Sequence, residues 1–206
     1  GDTFSIDEID LYDASQGTQD TVFFMGDSIT AEAFTRCPQA QPSFAALVRR
    51  AAPPHFPAMI DGGVNGVNSG HGVSVVEDWL ALNPDFHIWA IGYGTNDAYQ
   101  KVKPEVFEQH MQTMVDSIKE SGRVPVIGRI PYAAKGPDDA DVRALNAAID
   151  RVAARNDLIP GPDLYQWFRD HPDELSADGV HPMDAGTRSI NRLWYEALLP
   201  LYGDSP

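Results

Sequence analysis

Apolar runs that end in turn residues alternate along this chain with stretches of helical periodicity, and that alternation leaves few folds open. "TVFFM" at 21–25, "AMIDGGV" at 58–64, "FHIWAIGYG" at 86–94, "RVPVIGRI" at 123–130 and "DLIPGPDLY" at 157–165 each close on Gly, Pro, Asn or Asp and predict five strands. Between them, "PSFAALVRRAA" places Phe44, Leu47 and Val48 on one helical face, and "VSVVEDWLAL" does the same with Val73, Val76, Trp79 and Leu80. "PEVFEQHMQTMVDSIKESG" lines up Val106, Phe107, His110, Met111, Met114 and Ile118, with Gly122 as its stop. "DDADVRALNAAIDRVAARN" and "DAGTRSINRLWYEALLPLY" add two helices, each opened by an Asp at an N-cap position. Connections long enough to hold a helix are what parallel strands require. The expected fold is therefore α/β: a three-layer α/β/α sandwich around a five-stranded, mostly parallel sheet.

The 206 residues suffice for one well-buried core, expected over 21–206. Residues 1–20 stand outside the alternation. "FSIDEIDLY" reads as one short strand ahead of a Gly/Ser/Gln-rich linker: an edge strand, an N-terminal arm, or the end of a preceding domain, since it resembles the last strand of jelly-roll carbohydrate-binding domains. The formal net charge of -15 repels nucleic acid and anionic membranes, so neither is an expected partner, and it suits a neutral small-molecule or glycan substrate. No apolar run approaches the ~20 residues of a membrane-spanning helix. Cys37 is the single cysteine, read as a small buried hydrophobe or an inert thiol; it forms no intrachain disulfide and leaves the compartment open.

In parallel α/β sheets chemistry gathers outside the carboxyl ends of the strands. Here those ends carry Gly26, Asp27 and Ser28, then "NGVNSG" at 65–70, then "GTND" at 94–97; "DGVHP", with Asp178 three residues before His181, precedes the last helix. These are the parts of an acyl-transfer site. A serine hydroxyl needs a histidine to take its proton and an acidic partner to hold the imidazole tautomer. The tetrahedral oxyanion needs fixed donors, which the Ser28 and Gly70 backbones and the Asn96 amide could supply.

"GDSIT", "NGVNSG", "GTND" and "DGVHP", in that order, resemble the four sequence blocks of the SGNH (GDSL) hydrolase family, from about Thr21 to the C-terminal helix. The first block has Ile29 where the family's older name expects Leu. The resemblance implies a flavodoxin-like five-stranded sheet, no metal and no cofactor. It also implies Ser28 as nucleophile, His181 as base, Asp178 as its partner, and Gly70 and Asn96 as oxyanion donors with the Ser28 N–H. Gly62, Gly63, Gly66, Gly70 and Gly72 all compete for the glycine role, and the Asn-x-x-x-x-Gly spacing from Asn65 favours Gly70. The implied activity is a serine esterase on short-chain O-acyl esters, with acetyl groups on carbohydrate favoured and a lysophospholipase or thioesterase as the alternative.

Each feature also has an ordinary structural reading. Gly-Asp-Ser after a strand is a common helix cap, "DGVHP" a common turn, and Asp27 either supports Ser28 or caps its helix. His87 and His110 read as core or half-buried, His55 as a loop residue, and His171 as a remote second choice of base. His71, next to Gly70, is expected at the mouth of the site, with Tyr93 and Tyr99 as candidate substrate surfaces and Tyr132 and Trp167 as further flat rings. Two rivals stand: a flavodoxin-like phosphate or FMN module, which has no use for Asn96 or the Asp178–His181 pair, and a non-enzymatic relative, which would lack one of the blocks.

Overall fold

A computed structural model describes residues 20–34, 42–55 and 57–202. The expected N-terminal strand and linker, and Cys37, lie outside the described residues. In chain order the elements are β1 (Thr21–Gly26), α1 (Ser28–Phe34), α2 (Phe44–Ala51), β2 (Ala58–Gly63), α3 (Ser69–Leu82), β3 (Ile88–Gly92), α4 (Thr95–Tyr99), α5 (Pro104–Glu120), β4 (Val124–Ile127), α6 (Asp139–Asn156), α7 (Leu164–Asp170) and α8 (Asp184–Leu198). Short 3₁₀ turns follow at Pro172–Glu174 and Leu199–Tyr202.

All four strands pair in parallel, in the order β2-β1-β3-β4. The sheet is buried on both faces, as parallel sheets with helical crossovers are, and the alternation of side chains sorts the core into two layers. Phe23, Met25, Trp89 and Ile91 point to the layer that holds Val76 and Leu80 of α3, Met111, Met114 and Ile118 of α5, and Val142 of α6. Val22, Phe24, Ile88, Ala90 and Val126 point to the other, with Ile29, Phe44, Val48, Phe168, Ile190 and Trp194. Phe23 stacks on Trp89 at 4.4 Å between ring centroids, while Phe24 meets Trp194 edge-on at 5.6 Å.

The expected fifth strand at 157–165 is absent among the described residues. Leu158 to Asp163 run without strand pairing, and the next turn is already helix α7. Pro160 and Pro162 cannot donate to a ladder. What remains is one bond, Arg129 N–H to the Pro162 carbonyl at 2.9 Å. His55 lies in the loop between α2 and β2, as expected, and is buried there, with Nδ1 at 2.8 and 2.9 Å from the two Asp20 carboxylate oxygens. Asp138 caps α6 through the Ala140 N–H, whereas α8 starts at Asp184 itself, without a side-chain cap.

With β1 central, the chain leaves it towards β2 on one side and returns to β3 on the other. The direction therefore reverses between β1 and β3, and loops diverging there open a crevice at the carboxyl ends of the strands.

Candidate active site

Ser28 is the first residue of α1, separated from the end of β1 by Asp27 alone. The turn that delivers it is tight. A Cβ on Gly26 would lie 2.0 Å from Thr30 Oγ1 and 2.7 Å from the Gly92 carbonyl oxygen, so only glycine lets β1, α1 and β3 approach this closely. Asp27 settles its two alternatives in part: Oδ1 accepts the Ile29 N–H at 2.9 Å, a capping bond. The carboxyl is 1% exposed, and Oδ2 has no hydrogen-bond partner in the protein. Desolvation is the main cause that raises the Asp27 pKa from 3.8 to about 7, with the neighbouring Asp97 adding to it. Below it lies a cavity of about 20 Å³ bordered by Asp27, Tyr93, Thr95 and Trp194.

His181 arrives on a loop closed by an isolated antiparallel bridge between Leu175 and Pro182. The Ser176 N–H donates to the His181 carbonyl at 2.8 Å, and the Ala134 N–H donates to the Gly179 carbonyl at 2.7 Å, tying this loop to the one after β4. Asp178 Oδ1 accepts from the Ser176 hydroxyl and from the backbone N–H groups of Val180 and His181 at 2.7, 2.8 and 3.0 Å. Its Oδ2 accepts the His181 Nδ1–H at 2.7 Å. Desolvation, the largest single influence, pushes the Asp178 carboxyl up; the hydrogen bonds together outweigh it and hold the group well below the usual carboxylate range. Because Nδ1 carries the proton, Nε2 is free to accept, and the Ser28 hydroxyl lies 2.9 Å from it. The structure thus brings Ser28, His181 and Asp178 together in one hydrogen-bonded chain.

That chain borders an open pocket of about 390 Å³, lined also by Glu32, Asn65, Gly66, Thr95, Asn96 and Tyr99. Asn96 donates one amide hydrogen to the Val67 carbonyl at 2.8 Å, which fixes the plane of the amide and leaves its second hydrogen for another acceptor. Gly70 is not brought to this pocket. Helix α3 begins at Ser69, earlier than the apolar pattern from Val73 suggests. Asn68 is its N-cap, and the Gly70 N–H is already engaged by Asn68 Oδ1 at 3.0 Å. The glycine that lines the pocket is Gly66, held at φ +77° in the Asn-Gly turn after β2. The Asn-Gly dipeptide is the signal that could have found it.

Two expected substrate contacts are also corrected. Tyr93 is 1% exposed and belongs to the core beneath the site, where desolvation pushes its phenol well above the ordinary value. His71 is not among the residues that line the pocket; its ring meets Trp79 edge-on at 6.2 Å. Tyr99 does line the pocket and is 46% exposed. Of the more distant rings, Tyr132 packs edge-on against Tyr165, and Trp167 is sandwiched between His171 and Arg192. His87 is half-buried just ahead of β3, and His110 is half-buried on α5. Among the described residues no group of three or more His, Cys, Asp or Glu side chains could hold a metal ion.

A parallel α/β sandwich with a Ser-His-Asp chain at its switch point defines a carboxylic ester hydrolase of the SGNH type. Residues 24–188 match the GDSL-like Lipase/Acylhydrolase family, and the chain belongs to it. Its fold is similar to that of a lipase/acylhydrolase from Enterococcus faecalis, with a TM-score of 0.73 at 23% identity over 88% of this chain and 96% of that one. TesA aligns with a TM-score of 0.72 at 19% identity, covering 88% of this chain and 99% of its own. An acetyl xylan esterase from Geobacillus stearothermophilus aligns with a TM-score of 0.69 at 20% identity, covering 87% and 94%. No curated protein sequence matches the chain.

Proposed function

We propose that this protein is a serine esterase that removes short acyl groups, acetyl foremost, from a carbohydrate, through an acyl-enzyme on Ser28. The observation that carries the reading is the bond chain from Asp178 Oδ2 through His181 to Ser28 Oγ, with steps of 2.7 and 2.9 Å, opening onto a pocket beside Asn96.

In this mechanism His181 Nε2 takes the Ser28 proton as Oγ bonds to the ester carbonyl carbon, and the carbonyl π pair moves to its oxygen. That oxyanion is received by the Ser28 N–H, the Gly66 N–H and the free hydrogen of the Asn96 amide. Collapse re-forms the carbonyl and breaks the bond to the leaving oxygen, which takes the proton from His181. Water then attacks the acyl-enzyme with His181 again as base, and the carboxylic acid leaves as Ser28 regains its proton. Asp178 stays ionised throughout and stabilises the imidazolium formed in each half.

Support for the acyl and acceptor classes comes from the pocket and from the neighbours. Each buried methylene contributes only about 0.8 kcal/mol, so a long-chain lipase needs an extended apolar groove. The residues that line the pocket are instead mostly of polar type, with Val180 as the aliphatic one among them, and the ionised Asp178 and the acidic charge of the whole chain stand over it. Such a lining disfavours an anionic acceptor such as a lysophospholipid and suits a neutral one such as a sugar, for which exposed Tyr99 offers a flat surface. An acetyl xylan esterase among the structural neighbours is consistent with that choice.

Rates on p-nitrophenyl acetate, butyrate and octanoate, followed by acetylated xylan against lysophosphatidylglycerol and an acyl thioester, test the proposal. It expects a steep fall from acetate to octanoate and turnover of the acetylated glycan. A maximum at octanoate would replace it with a lysophospholipase or thioesterase reading.

A further inference from the structure

A second hydrogen-bonded chain lies next to the first, built from residues that the mechanism above does not use. The Asp97 carboxylate, fully buried in α4, accepts the Ser69 N–H on Oδ2 at 2.9 Å and the Ser69 hydroxyl on Oδ1 at 2.5 Å. Because the Ser69 hydroxyl donates to Asp97, its oxygen is an acceptor for the remaining neighbour, His110 Nδ1 at 2.8 Å. His110 therefore carries its proton on Nδ1, and the chain runs from His110 through Ser69 to Asp97. Desolvation raises the Asp97 pKa, and the two Ser69 bonds and the charge of His110 oppose that rise.

The chain lies where the two strand-end loops of the oxyanion region meet. Asn96 adjoins Asp97 and donates to the Val67 carbonyl, and Val67 stands between Gly66 and Ser69. Outside this clasp, Asn68 Nδ2 donates to Gln100 Oε1 at 2.6 Å, joining the same two segments again. His110 comes from neither loop. It reaches over from α5, which packs along α3, and its ring passes the Cα of Gly70, where a side chain would have its Cβ 3.6 Å from His110 Cε1. That is ordinary van der Waals contact, so the ring packs beside Gly70 without requiring a glycine there.

We propose that His110 is a positioning residue for oxyanion stabilisation. By donating to Ser69 it locks the Ser69–Asp97 clasp that fixes how far Gly66 and Asn96 stand from each other. The proposal rests on the esterase reading and adds to it a residue outside the four blocks. An oxyanion hole acts only if its donors are fixed before charge develops. Loosening the clasp therefore lowers kcat and leaves KM nearly unchanged, because the acyl acceptor contacts other walls of the pocket.

The test is steady-state kinetics on p-nitrophenyl acetate for wild type, His110→Leu, His110→Asn, Asn96→Ala and the double variant His110→Leu/Asn96→Ala, with circular dichroism and a thermal melt for each. Small misplacements of catalytic groups cost up to about 10²-fold, so His110→Leu is expected to lose about 10- to 100-fold in kcat. His110→Asn retains an N–H donor near the Nδ1 position and is expected to recover most of that loss. In the Asn96→Ala background the His110→Leu loss is expected to shrink to a few-fold, since much of what it positions is already gone. A His110→Leu enzyme within twofold of wild type overturns the proposal. So does a folded His110→Asn enzyme as impaired as the Leu variant, or a loss that multiplies unchanged with Asn96→Ala. If His110→Leu fails to fold, the Asn variant and its own cycle with Asn96→Ala decide the matter. A wild-type enzyme that neither turns over esters nor labels with a fluorophosphonate at Ser28 would overturn the esterase reading instead, so the two failures are distinguishable.

Discussion

Asp27→Asn should make the protein more stable at neutral and alkaline pH while changing it little in acid. The folded state keeps this buried carboxyl protonated up to about 7, against 3.8 for the exposed group. For an acid raised in this way the sign is fixed: below the unfolded value both states hold the proton and nothing is lost. As pH climbs from 3.8 towards about 7 the unfolded chain ionises and the folded one cannot, so stability declines, and above about 7 the decline levels off. At 1.36 kcal/mol per pKa unit the loss is about 0.6 kcal/mol at pH 4 and about 4 kcal/mol at pH 8. Asparagine keeps the oxygen that accepts the Ile29 N–H and has no proton to lose, so the variant escapes the decline. Urea unfolding of wild type and Asp27→Asn at pH 4, 6 and 8 would measure it. The difference should open in favour of the variant across that range. A difference that stays constant from pH 4 to 8 would mean that Asp27 titrates normally in the folded protein, and the burial reasoning would be wrong.

Ser28→Ala should fold as wild type does and lose nearly all turnover, because only oxyanion and binding effects survive loss of the nucleophile; fluorophosphonate labelling should vanish with it. Asn96→Ala should lower kcat by about 10²–10³-fold with KM little changed, as measured on p-nitrophenyl acetate. Asp178→Asn should lower kcat strongly without unfolding the protein, since it removes the acceptor that holds His181 Nδ1–H; near-silence would mean that another acceptor holds the ring. Of the two glycines, Gly66→Ala should cost more activity than Gly70→Ala. The first forces a side chain onto φ +77° at the pocket, while the second places a Cβ 3.1 Å from Asn68 Oδ1 and leaves the pocket lining untouched.

The sheet and its covering helices were legible because period and punctuation agree along most of the chain. Val22 to Met25 alternate between the two core layers, as a strand with helices on both sides must, and the α5 and α6 patterns run the full length of those helices. The run at 157–165 misled because hydrophobicity reports burial and pairing needs N–H groups, which Pro160 and Pro162 lack. At the site, Ser28, Asn96, Asp178 and His181 were readable from type and order. The sequence does not separate Gly66 from Gly70 for a local reason: four residues of α3, Ser69 to Gly72, are small or polar and carry no apolar stripe, so the helix starts earlier than its pattern. The burial of Tyr93 is not legible because nothing local separates an aromatic that crosses the sheet end outward from one that turns in beneath it. The His110–Ser69–Asp97 chain joins residues that only the packing of α5 on α3 brings within reach.

The bond between Ser28 and His181 spans 153 positions of sequence. Nearly the whole parallel sheet has to be in register before the serine and the histidine can meet, and such long-range closures come late when a chain folds. Return of esterase activity after dilution from urea is therefore a measure of how fast the last, longest-range contact forms. It should lag behind the far-ultraviolet circular dichroism of the helices, which mature locally. The distance along the chain between nucleophile and base makes the enzyme its own reporter of complete assembly.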